Sequence, residues 1–180
     1  MIIVVVAHPN LEESILNKSL VEKLSNEKNI EVLDLYERYR HATYNGLPDD
    51  KLEEDRQKLL TANTIVLQFP FYWYSTPSLL KQWIDDILLN GWAHHGGVEG
   101  KDYALACKSL LLAPTTGGSK SSYGPDGYNM HWFYDFMVPF VQTARTCKMR
   151  FIDPYVIHAD QFKPTETPNE YVEFIRSIGQ

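Results

Sequence analysis

A chain of 180 residues with a formal net charge of −6 fits one domain, residues 1–180, large enough to bury a core without disulfides or metals. Its pI near 5.5 and the lack of any basic tail or cluster exclude nonspecific nucleic-acid binding, so an anionic ligand has to be held by amide dipoles and hydroxyls. Cys107 and Cys147 stand at no redox or zinc spacing, which excludes a disulfide framework and makes the cytoplasm the expected compartment.

In chain order, Ile2 to Ala7 is an apolar run too short for a membrane span and without a signal-peptide n-region, and it reads as a buried strand. A helix over Ser14 to Asn26 follows, then a strand Ile30 to Leu35, whose polar alternation places it toward a sheet edge. Helix Asp49 to Ala62, strand Thr64 to Phe69 and helix Pro77 to Asn90 come next. Strand Ser109 to Ala113 precedes a helical stretch from about His131 to Lys148, which Pro139 divides into two short helices. Strand Phe151 to Ile157 and helix Asn169 to Ile178 complete the alternation. This pattern is α/β, a five-stranded parallel sheet with helices on both faces. Long connections over Tyr36 to Pro48, Gly91 to Lys108 and Thr115 to Asn129 are candidates for function.

Three segments follow the carboxyl ends of predicted strands, where open α/β sheets bind ligands. The first, His8 to Asn17, contains no glycine. That excludes the Rossmann fingerprint, and a Walker loop is absent too. Ser14 capping its own helix accounts for this segment as well as a ligand does. A phosphate placed there would meet the amides of Ser14, Ile15, Leu16 and Asn17, the helix dipole, the Ser14 hydroxyl and His8. The second segment is the aromatic turn Gln68 to Pro77, which suits a flat conjugated ligand. Pro70 ends the strand, Ser75 or Thr76 caps the next helix with Pro77 in its first turn, and the amides of Phe71, Tyr72, Trp73 and Tyr74 are left to donate. The third, Thr115-Thr116-Gly117-Gly118, offers hydroxyls and close backbone approach. Alone it would read as a plain loop, but its place at a strand end makes it a clamp. Tyr123 is placed to hydrogen-bond a carbonyl that becomes electron-rich on reduction. His131 reads as packing or capping, and His41, His94, His95 and His158 show no metal-ligand spacing. An anion pocket, a platform for a planar ring and a polar clamp together describe a flavin mononucleotide (FMN) site.

The motifs HPN with S-x-x-N, FPFYWYSTPSLLKQWID, GWA at Gly91 to Ala93, and LLLAPTTGG occur in one order over about residues 1 to 157. This resembles the flavodoxin-like NAD(P)H:quinone oxidoreductases, a family of short bacterial quinone reductases, the ancillary quinone reductase of glutathione-gated potassium efflux, and animal DT-diaphorases. The resemblance implies a flavodoxin-like three-layer sandwich of strand order 2-1-3-4-5 and a homodimer with active sites at its interface. It also implies FMN, with NADH or NADPH as hydride donor, and ping-pong two-electron reduction of quinones or related electrophiles. On it, His8 and Ser14 to Asn17 hold the phosphate and ribityl chain, and Phe71 to Tyr74 hold the isoalloxazine. Thr115 to Gly118 complete its polar side, and Tyr123 matches a tyrosine that stabilises reduced flavin and substrate. Asn129 stands where the longer relatives have a histidine, and Cys107 where short relatives have glycine. Without the C-terminal extension of the FAD-using relatives, FMN is expected over FAD. The same motifs also accommodate a flavin-binding regulatory subunit docked on a potassium-efflux transporter at the membrane, or a flavodoxin-type electron carrier.

Overall fold

Five consecutive apolar residues with branched side chains, Ile2–Val6, form strand β1, and every one is buried. The computed structural model describes residues 1–40, 46–95, 99 and 102–179; His41 and parts of the two connections around 41–45 and 96–101 lie outside them. Parallel to β1 run β2 (Ile30–Asp34), β3 (Thr64–Pro70), β4 (Ser109–Thr116) and β5 (Arg150–Ile152), in the order β2-β1-β3-β4-β5. The expected order 2-1-3-4-5 is thus the observed one. β1, β3 and β4 are buried along their whole length, as central strands covered on both faces must be, while β2 is half-buried at the edge.

The expected strand Phe151 to Ile157 is two strands. Pro154 has no N–H for the ladder, so pairing with β4 stops at Ile152 and resumes at β6, Ile157–His158. Between them Tyr155 N–H donates to Leu112 O at 2.9 Å. The break sets His158 opposite Thr116.

Alternate residues of the strands face opposite layers. Ile2, Val4, Val6, Val66 and Leu111 pack with Leu20 and Leu24 of α1 (Ile15–Leu24). A short helix, α2 (Leu35–Arg38), follows β2. On the other face, Ile3, Val5, Ile65, Leu67 and Leu112 meet α3 (Asp49–Thr61), α4 (Ser78–Ile87) and α5 (Val138–Thr146). Helix α6 (Thr167–Ile178) joins α1 through Tyr171, Val172 and Ile175. The sequence reads Leu35 as strand and Tyr36 onward as loop; there the Asp34 carboxylate caps the helix, accepting from the Tyr36 and Glu37 amides at 2.9 and 3.2 Å. Neither Ser75 nor Thr76 caps α4, because Ser75 closes a separate turn with Tyr72 and Pro77 stands at the cap position. A 3₁₀ turn, Phe133–Met137, precedes α5, which has Pro139 in its first turn.

The second layer is tied by Asp55 of α3, which is fully buried. Its carboxylate accepts from Tyr39 Oη at 2.6 Å and Trp83 Nε1 at 2.9 Å, and lies 2.6 Å from Arg38 Nε. Burial and the adjacent carboxylate push the Tyr39 hydroxyl above its ordinary range, so it remains the donor.

Cys107 adopts φ +65°, a left-handed conformation that costs a side-chain-bearing residue about 1–2 kcal/mol. Its side chain is exposed, so little packing is lost on its removal. Cys107→Gly is expected to raise stability by about 0.5–1 kcal/mol, after the entropy cost of glycine. Urea unfolding measures this, and a lower midpoint refutes it.

Candidate functional site

At the carboxyl ends of β1, β3 and β4 lies a cavity of about 330 Å³. Its walls are His8, Ser14, Ile15, Leu16 and Asn17 from the first loop, Phe71 and Tyr72 from the second, and Thr115, Thr116 and Gly117 from the third. Hollows of about 460 and 470 Å³ lie at the amino ends of the strands and beside α2, but neither gathers residues of all three loops.

The α1 end of the cavity is built around free amides. Ser14 Oγ accepts from Asn17 N–H at 3.1 Å, whereas the Ile15 and Leu16 amides donate to no described residue. No lysine or arginine lines the cavity, and Glu13 does. An anion there depends on amides, the Ser14 hydroxyl and His8. His8 Nδ1 accepts from Asn10 N–H at 3.1 Å, so the neutral ring carries its hydrogen on Nε2. Burial holds this imidazole below its ordinary value of 6.5.

Asn17 lines the cavity but its side-chain amide is already engaged. Its Nδ2 donates to Thr115 Oγ1 at 2.8 Å, and its Oδ1 accepts from Gln68 Nε2 at 3.2 Å. Gln68 Oε1 in turn accepts from Tyr171 Oη at 3.1 Å. The chain of bonds connects α1, β3, β4 and α6 behind the cavity wall.

The aromatic turn is a tight reversal. Tyr72 N–H donates to Ser75 O at 3.0 Å and Ser75 N–H to Tyr72 O at 2.9 Å, with Trp73 at φ +47° and Tyr74 at φ +63°. Two positive φ values in succession are type I′ geometry, ordinarily the province of asparagine and glycine. The amides expected to be free are therefore only two of the four: Phe71 donates to Thr115 O at 2.7 Å and Tyr72 to Ser75, while Trp73 and Tyr74 have no described partner. The Phe71 ring anchors the turn 4.6 Å from that of Phe133, and Tyr74 stacks on Phe136 at 5.2 Å. The Trp73 side chain is 93% exposed and lines nothing.

In the third loop, Thr116 Oγ1 accepts from Gly118 N–H at 3.1 Å and shares a hydrogen with Tyr123 Oη at 3.0 Å. Tyr123 and Gly118 stand behind Thr116 and are not part of the wall. His131 is exposed, 3.7 Å from Asp135. Glu13, Pro70 and Ala159 also line the cavity, and Gln68 and His158 support it; Glu13, Gln68 and Pro70 fall inside the candidate segments without an assigned role, and Ala159 and His158 lie outside them. Their common signal was proximity to a strand's carboxyl end. Among the described residues no cluster of His, Cys, Asp or Glu forms a metal site.

The profile of the family described as flavodoxin-like fold matches residues 1–178. The chain belongs to this flavodoxin-like family. It is 37% identical over 180 residues to YrkL of Bacillus subtilis, named an uncharacterized NAD(P)H oxidoreductase, covering 97% of each chain. It is 35% identical over 159 residues to the glutathione-regulated potassium-efflux system ancillary protein KefG of Pectobacterium carotovorum, covering 87% of this chain and 80% of that one. The crystal structure of general stress protein 14 from Treponema denticola in complex with FMN superposes with a TM-score of 0.85 at 27% identity, covering 98% of both chains.

Asn17→Ala strips Gln68 and Thr115 of buried partners. It should cost this flavodoxin-like protein about 1–3 kcal/mol in urea unfolding. A loss under about 0.5 kcal/mol, the range of an ordinary surface change, would show that the network is not supporting the fold.

Proposed function

We propose that this flavodoxin-like protein is an FMN-dependent NAD(P)H:quinone oxidoreductase. The observation that carries the reading is one cavity with unspent amides at Ile15 and Leu16, two more on the neighbouring turn at Trp73 and Tyr74, and no lining cation. That donor set suits a phosphate at one end and an electron-rich ring edge at the other. FMN, when bound, supplies a reversible two-electron acceptor.

Ile15 and Leu16 N–H, the Ser14 hydroxyl and His8 Nε2–H would hold the phosphate. Trp73 and Tyr74 N–H, fixed by their turn, would be donors for the edge of the ring system, where charge develops on reduction, without reorganisation. Thr116 and Gly117 complete the polar side, and Tyr123, through Thr116, holds a proton near the reacting end. NADH or NADPH and then a quinone or related electrophile take turns on the open face, in ping-pong order. The FMN complex of general stress protein 14 supports FMN over FAD. No helix among the described residues is long and apolar enough to cross a membrane, and cytoplasmic action is part of this reading.

Trp73, Tyr128, Met130 and Trp132 are exposed aromatic and apolar side chains. We assign them to a homodimer interface beside the active site. Sedimentation equilibrium should give twice the 20.8 kDa chain mass; a monomer at micromolar concentration contradicts this.

The 35% identity to KefG favours a second reading, a flavin-binding subunit docked on a potassium-efflux transporter. Co-purification with such a transporter from membranes, absent for the enzyme alone, distinguishes the two.

The purified protein should be yellow and bleach with NAD(P)H; a colourless protein that takes up no FMN defeats the proposal. A phosphate dianion beside His8 raises a pKa that burial lowers in the free protein. Binding therefore takes up a proton between those two values, and affinity falls as pH rises through that window. His8→Gln should lose about tenfold in FMN affinity near pH 6 and much less near pH 8, as read by flavin fluorescence quenching. A pH-independent ratio would remove His8 from the phosphate site.

A further inference from the structure

His158 ends β6 and is 7% exposed. A buried imidazole needs partners for its nitrogens. Its Nδ1 lies 3.0 Å from Gly118 O, and because a carbonyl only accepts, Nδ1 is the donor. The imidazole ring is 5.6 Å from the ring of Tyr123 and 5.9 Å from that of Phe133, and those two rings are 4.8 Å apart. Three rings thus fill the space behind the Thr116–Gly118 loop. Gly118, held by His158 through its carbonyl, places its own N–H on Thr116 Oγ1, the oxygen that Tyr123 also reaches. There is no slack at this point: a Cβ on Gly118 would come within 3.1 Å of Tyr123 Oη.

We infer that His158 is a positioning residue for the reduction chemistry, fixing the Thr116–Tyr123 hydroxyl pair by holding the Gly118 carbonyl. The inference rests on the oxidoreductase reading above. The Gly118 amide occupies one lone pair of Thr116 Oγ1 and so fixes where that oxygen sits. In one arrangement the Thr116 hydrogen points to Tyr123; in the other, the phenol hydrogen points to Thr116 and leaves the Thr116 hydrogen for an acceptor in the cavity that Thr116 lines. In both, losing the His158 bond releases the Gly118–Ser119 peptide and with it the anchor on the Gly118 Cα, from which the N–H reaches Thr116 Oγ1, so the hydroxyl pair loses its register. His158 acts through Gly118 and touches no reacting atom.

The test uses the full chain saturated with FMN, with NADPH as donor and menadione as acceptor. His158→Asn keeps a nitrogen donor at the place of Nδ1, whereas His158→Gln moves it one bond further out. His158→Gln should lower kcat about tenfold with KM for menadione within about twofold, and His158→Asn should recover to within about threefold of wild type. Tyr123→Phe should lower kcat by a similar factor, and adding His158→Gln to it should change little, because both act through one hydroxyl. Losses that multiply, or an Asn variant as impaired as Gln at an unchanged melting temperature, overturn the inference. Should His158→Gln fail to fold, Gly118→Ala reads the same link, since its Cβ displaces Tyr123 Oη. That loss should vanish in the Tyr123→Phe background, and an equal loss in both backgrounds refutes the inference. If wild-type protein takes up no FMN, the oxidoreductase reading falls. If wild type turns over and His158→Gln equals it, only the role of His158 falls.

Discussion

Gln68 lies fully buried in the middle of β3, between Leu67 and Phe69, and an amide in that position has to find its partners inside the protein. Its Nε2 reaches Asn17 at both Oδ1 and the main-chain O, at 3.2 and 3.3 Å. Its Oε1 takes the hydroxyl hydrogen of Tyr171, which burial keeps protonated. Asn17 then passes the connection to Thr115. One polar side chain in an otherwise apolar strand therefore fixes the first turn of α1 against β3 and β4, with α6 closing the far side. Because α1 is locked in this way, the Ile15 and Leu16 amides hold fixed positions at the cavity without a glycine-rich loop to position them.

The aromatic turn reaches the same result by a different route. Trp73 and Tyr74 occupy conformations that cost an L-residue about 1–2 kcal/mol each, and what offsets this is packing rather than hydrogen bonding. Phe71 sits among Phe133 and Phe136, and Tyr74 stacks on the latter. Phe71 and Tyr74 are thus held by neighbouring rings, and the backbone between them is presented. Aromatic residues that look like a stacking platform in the sequence thus act as anchors for two amides. Strain held at such a place belongs to the site's preorganisation.

The strands, and which of them are central, were legible from short-range signals: continuous apolar runs for β1, β3 and β4 and alternation for β2; their order 2-1-3-4-5 came from the family resemblance, which the topology bears out. What escaped is decided by geometry that spacing does not encode. Which amides of Phe71 to Tyr74 remain free depends on a type I′ turn that their residue types disfavour. Tyr123 meets Thr116 only because a 3₁₀ turn folds Lys120–Ser122 back. His158 reaches Gly118 across forty positions, and only because Pro154 splits a strand and lets it restart at Ile157. The short helix at Leu35 was visible in principle, since Asp34 followed three residues later by Glu37 is an N-terminal capping pattern.

The two ends of the site differ in how completely this one chain builds them. Around the α1 end, the helix cap traces back to the core: Ser14 to Asn17, Asn17 to Gln68, Gln68 to Tyr171. Around the turn, the support is equally firm behind the backbone, yet the side chain of Trp73 stands 93% exposed. A large aromatic left in water loses the burial that makes aromatics favourable, about 25 cal/mol for each Å² of apolar surface. An anion-holding end can be complete within a single chain, since amides and a dipole act locally. An apolar rim is completed only by something that covers it, which is the physical ground for the homodimer proposed above.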